Sequence, residues 1–89
     1  MNILKQADDI INNRSEEKER TYGPIDDNIE LMIKLYNLIS GNTLTVEDGY
    51  MLLMCNKLAR ESYNHKEDNL LDLVAYTGAL NNYINKKEI

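Results

Sequence analysis

A single proline stands in this chain, Pro24, directly after Gly23, and on both sides of it the apolar residues recur at helical spacing. Proline disfavours helix in the residue before it and is tolerated in a helix's first turn. The Gly-Pro pair therefore ends one segment and opens the next. Before it, Ile3, Leu4, Ala7, Ile10 and Ile11 predict a helix over residues 2–13. Residues 14–24 are dense in charge and lack an apolar stripe, so they read as an arm or loop. After it, Ile29, Met32, Ile33, Tyr36 and Ile39 predict a second helix from Pro24 or Ile25, widened by Leu35 and Leu38. Gly41 stops that helix as the residue past its end.

Thr45 opens a third helix, with Asp48 three residues on as a short-armed capping box, and Tyr50, Met51, Met54 and Leu58 carry its stripe. A turn is expected over residues 62–67, with Asp68 as N-cap of a fourth helix. That helix uses Leu71, Val74, Leu80 and Ile84 and is expected to fray over residues 85–89. No β alternation or internal repeat interrupts the pattern. The 89 residues thus predict one all-α domain, four-helix bundle-like, with a C-terminal antiparallel helical hairpin.

Such a short chain buries little apolar surface, and with no Trp, no Phe and six Tyr its aromatic content is all amphipathic. A homo-oligomer is the expected remedy. A net charge of −5 argues against nucleic acid as a partner. A small anion needs only a local cation cluster. The one cysteine, Cys55, excludes an internal disulfide and fits a reducing cytoplasm, and its neighbours Leu53, Met54 and Leu58 predict a buried thiol. Neither a signal-peptide run nor a membrane span is expected.

The hairpin turn sets a register in which Lys57 faces Asp72 and Arg60 faces Asp68. Lys57 and Arg60 are i, i+3, and Asp68, Asp72 and Tyr76 are i, i+4, i+8, so each set lies along one side of its helix. Tyr76 is expected one turn deeper, beside Met54. The plain reading is an interhelical ion-pair ladder that fixes register. The functional reading is that the carboxylates orient two cations toward phosphate oxygens, or that Asp68 or Asp72 instead receives a ribose hydroxyl or holds Mg²⁺. Upstream, Arg20, Tyr22 and Gly23 lead into a helix N-terminus and form a credible phosphate and base clamp. The plain alternative is a helix-breaking turn with Tyr22 packed against it. Asn28 is placed to read a base edge or simply to cap. His65 with Glu67, Asp68 and Asp72 invites a metal reading, against the plain one that a lone His in a polar turn is simply exposed. No Ser–His–Asp or Cys–His constellation accompanies it, and no catalytic residue or metal ligand is assigned.

With these residues in hand, the chain resembles a family of small helical proteins of phages and prophages over about residues 14–83. The marks are Arg20-x-Tyr22-Gly23, Asn28, Thr45-x-Glu47-Asp48, Lys57-x-x-Arg60 and Asp68-Asn69-x-x-Asp72-x-x-x-Tyr76. More distantly it is similar to the MazG-type all-α nucleotide pyrophosphohydrolases and to a domain associated with phage nucleotide modification. The resemblance implies a nucleotide-related role in the cytoplasm of an infected bacterium. The MazG type holds Mg²⁺ with a Glu-x-x-Glu pair and a later Glu-x-x-Asp pair. Here the later helix offers Asp68-x-x-x-Asp72, and the Glu16 and Glu19 pair sits in the charged arm. Three readings follow. The first is a non-catalytic protein that sequesters a nucleotide or cyclic-nucleotide immune signal and needs no cofactor. The second is a MazG-like, Mg²⁺-dependent nucleoside triphosphate pyrophosphohydrolase. The third is a helical adaptor for another protein.

Overall fold

The computed structural model describes residues 2–12 and 24–87. The described residues form four α-helices and no strands: α1 (Ile3–Asn12), α2 (Ile25–Ser40), α3 (Val46–Tyr63) and α4 (Glu67–Lys87). The all-α, bundle-like expectation holds, and α3 with α4 forms the antiparallel hairpin. α1 lies against α4, and α2 lies against α3. None of the helices is long and apolar enough to cross a membrane.

Local chemistry sets the boundaries. Pro24 precedes α2 with φ −58°, and Gly41 ends it at φ 77° with its N–H donating to the Asn37 carbonyl. A side chain at that φ is strained, so glycine suits it. The capping box of α3 is complete: Thr45 Oγ1 accepts from the Asp48 N–H at 3.1 Å, and Asp48 Oδ2 accepts from the Thr45 N–H at 2.9 Å. Between α2 and α3, the Asn37 side chain trades two hydrogen bonds with the Leu44 backbone, each of 2.9 Å.

The buried cluster is small: Ile29 and Ile33 of α2, Tyr50 of α3 and Ala79 of α4. Gly49 lets α2 and α3 approach closely, because a Cβ there would sit 2.7 Å from Ile33 Cγ1 and 3.1 Å from Ile29 Cγ2. Ala7 and Ala75 are the buried residues at the middle of α1 and α4, where small side chains permit close packing.

Three expectations need correction. Asp68 is the second residue of α4 and not its cap, since the helix begins at Glu67. α4 also continues to Lys87 without fraying at residue 85. Lys86 and Lys87 hold that end by pairing with Asp26 of α2 and Glu47 of α3, and cations suit a helix C-terminus. Finally, Cys55 is exposed. It falls outside the Tyr50, Met54, Lys57, Glu61 stripe that α3 turns toward α4.

Candidate functional site

The hairpin turn is organised by Glu61. Its carboxylate accepts from the Lys66 N–H at 3.1 Å and from the buried Asn69 amide at 3.4 Å, and it bonds the His65 ring. These bonds, led by the one to His65, hold the Glu61 carboxyl below its usual pKa range. Asn69 therefore faces the interior. Successive helical residues point about 100° apart, so Asp68 is swung out to solvent.

That rotation decides the fate of the expected ladder. Lys57 Nζ meets Asp72 Oδ2 at 3.0 Å, with the lysine side chain largely covered. Arg60 and Asp68 do not pair. Among the described residues the Arg60 side chain has no ion pair or hydrogen bond, and it borders a groove of about 580 Å³ beside the turn. Asn56, Ala59, Arg60 and Tyr63 line the α3 wall, and Asn64, Lys66 and Asn69 line the turn and the start of α4. The volume lies in the ~300–1,000 Å³ range of small-molecule sites.

The groove combines two cations, three side-chain amides and one tyrosine ring. A guanidinium binds phosphate oxygens bidentately. An ammonium adds a mobile point charge. Amides can donate and accept at base or sugar edges. Tyr63 is 95% exposed and offers a free ring face for stacking. Glu67 and Asp68 in the first turn of α4 already complement that helix's dipole. The positive character of the groove therefore comes from Arg60 and Lys66.

The other expected site residues are dispersed. Arg20, Tyr22 and Gly23 lie outside the described residues, as do Glu16 and Glu19. Asn28 is exposed in the first turns of α2 and donates its N–H to the Pro24 carbonyl at 3.0 Å. That end of α2 is joined to Tyr50, about 20 Å of helix from the turn, so Asn28 does not line the groove. Tyr76 is half-buried, and the hydroxyl of the neighbouring Thr77 lies 3.9 Å from Met54 Sδ. Lys57, Asp68, Asp72 and Tyr76 are likewise not among the lining residues. Among the described residues no three His, Cys, Asp or Glu side chains converge as a metal site would require.

Asn56, Tyr63, Asn64, Lys66 and Asn69 are not candidate ligand contacts from sequence, although Asn69 stands in the Asp68-Asn69-x-x-Asp72 mark. The signal was available: four of the five fall within one helical turn or the loop following Arg60, on the side that Asn69 faces.

These features define a small helical domain with a cation-bearing polar groove at its hairpin turn. Residues 2–84 match the family described as a domain of unknown function, DUF6378, and the chain belongs to that family. No curated protein and no solved structure matches the chain.

Proposed function

We propose that this chain binds a phosphorylated nucleotide in the groove at the α3–α4 turn and holds it without cleaving it. The observation that carries the reading is Arg60: an exposed guanidinium free of any carboxylate among the described residues, beside a groove that also presents Lys66, three amides and a stacking ring. Lys57 has a different part, since its charge is engaged by Asp72 and braces the hairpin from which Arg60 projects. The likeness to small phage and prophage proteins, and the more distant likeness to MazG-type enzymes, supports a nucleotide as the ligand. In that setting the chain removes a linear or cyclic nucleotide signal from the host cytoplasm, a task that needs affinity and no chemistry.

The test is isothermal calorimetry against a panel of nucleoside mono-, di- and triphosphates and cyclic dinucleotides. A dissociation constant of micromolar or tighter is expected for at least one of them, with binding abolished by Arg60→Ala. The same mixtures with Mg²⁺, assayed for pyrophosphate, separate holding from cutting. Absence of heat across the panel, together with native mass spectra showing no retained nucleotide, would sink the proposal.

A further inference from the structure

α2 is apolar on two opposite faces. Ile29 and Ile33 are buried against α3. Leu31, Leu35 and Leu38 form a second stripe on the far side, at i, i+4 and i+7, and are 55%, 48% and 81% exposed. Met32 and Ile39 flank that stripe and are exposed as well. A helix that is apolar all round belongs inside something, yet among the described residues only one side of α2 is covered.

We infer that a second copy of this chain covers the outer stripe, through a two-fold contact in which α2 packs antiparallel on its counterpart about Leu35. Three observations single out this occupant. The first is area: the five residues expose on the order of 500 Å², most of the ~800 Å² per partner of a standard interface, and neighbouring rim residues can supply the rest. The second is charge. Residues 31–40 carry one charged side chain, Lys34, whereas the exposed acids Asp27 and Glu30 lie toward the N-terminal end. A parallel pair would stack acid on acid. An antiparallel pair puts each acidic end beside the uncharged far end of its partner and opposes the two helix dipoles. The third is self-complementarity: with Leu35 on the axis, Leu31 of one copy faces Ile39 of the other and Met32 faces Leu38. A two-fold contact is satisfied when one patch meets itself in this way. The contact uses neither the hairpin turn nor Arg60, so it is independent of the ligand proposal.

Light scattering on the purified full chain should give a mass of two subunits at about 50 µM. Leu35→Glu with Leu38→Glu should give one subunit with unchanged helical circular dichroism, because both positions are exposed in the protomer. In a Cys55→Ser background, Leu35→Cys should cross-link through a short thiol-reactive linker. Asn28→Cys should not, because its two copies would lie about 21 Å apart along antiparallel helices. A monomeric wild-type chain would overturn the inference, as would a dimer indifferent to the double glutamate substitution. Cross-linking through position 28 would do the same, since it marks a parallel pair.

Discussion

The Tyr50 hydroxyl donates a hydrogen bond to the Asp26 carboxylate, tying the middle of the core to the first turn of α2. Tyr50 is completely buried. Its ring packs on Tyr83 with centroids 6.0 Å apart. The same carboxylate receives Lys86 at 3.4 Å, so α2, α3 and α4 meet at one acidic side chain.

Tyr50→Phe should lower stability by about 1.5–3 kcal/mol, the typical contribution of a hydrogen bond to a charged group. Burial first, and then the bond to Asp26, raise the Tyr50 pKa far above its ordinary 10.0. The folded chain thus favours the protonated phenol. The resulting stability is complete below pH 10 and falls as pH rises beyond it. The gap between the urea unfolding midpoints of wild type and Tyr50→Phe should be narrower at pH 10.5 than at pH 7. A constant gap would refute the linkage.

Gly49→Ala and Gly78→Ala should act in opposite directions. At Gly49 the new methyl meets buried Ile33 at 2.7 Å, and overpacking of about 1–3 kcal/mol outweighs the ~1 kcal/mol helix-propensity gain. At Gly78 nothing lies within 4 Å of the added Cβ, so stability should rise by up to about 1 kcal/mol. Thermal melts of the two variants check both signs.

Glu61→Gln should flatten the acid limb of the stability profile. The Glu61 carboxyl is held below its ordinary 4.5, chiefly by its bond to His65. Its contribution is therefore full above that value and is lost as pH falls through the lowered one. Unfolding midpoints of wild type and variant should differ at pH 7 and approach each other near pH 3. A gap that persists in acid would show that another group organises the turn.

Arg60→Ala and Lys57→Ala should separate binding from folding. Arg60 makes no ion pair among the described residues, so its loss should leave the melting temperature within about 2–4 °C, the range of a surface change, and should abolish nucleotide binding. Removing Lys57 strands a partly covered Asp72 and should cost about 1–2 kcal/mol. Calorimetry paired with melts of both variants reads the two effects apart. Comparable destabilisation by both would mean that Arg60 is structural.

The helices were legible in the sequence because their signals are local. Thr45 with Asp48, Gly41 and Pro24 each set a boundary through bonds or dihedrals reaching four residues at most. The Lys57–Asp72 pair was legible because a short turn leaves few registers. The Arg60–Asp68 pair failed because a residue count gives axial position and not azimuth. The azimuth of α4 is set by Asn69 turning inward to Glu61, a nonlocal competition among three polar side chains. Cys55 failed for a related reason: apolar neighbours in sequence do not say which face of a helix gains a partner. The groove is not legible because, Arg60 apart, its polar lining is three asparagines, a lysine and a tyrosine that read individually as ordinary helix-surface and turn residues.

The exchange between Asn37 and Leu44 has its own consequence. One planar amide fixes the bend from α2 into α3 by giving and receiving at a single backbone position, as a neighbouring strand would. Aspartate matches its outline, but it replaces the donor by a charged oxygen facing the Leu44 carbonyl. The direction in which α3 departs from α2 thus draws on one terminal atom, nitrogen rather than oxygen, alongside the Gly49 packing and the Tyr50–Asp26 bond.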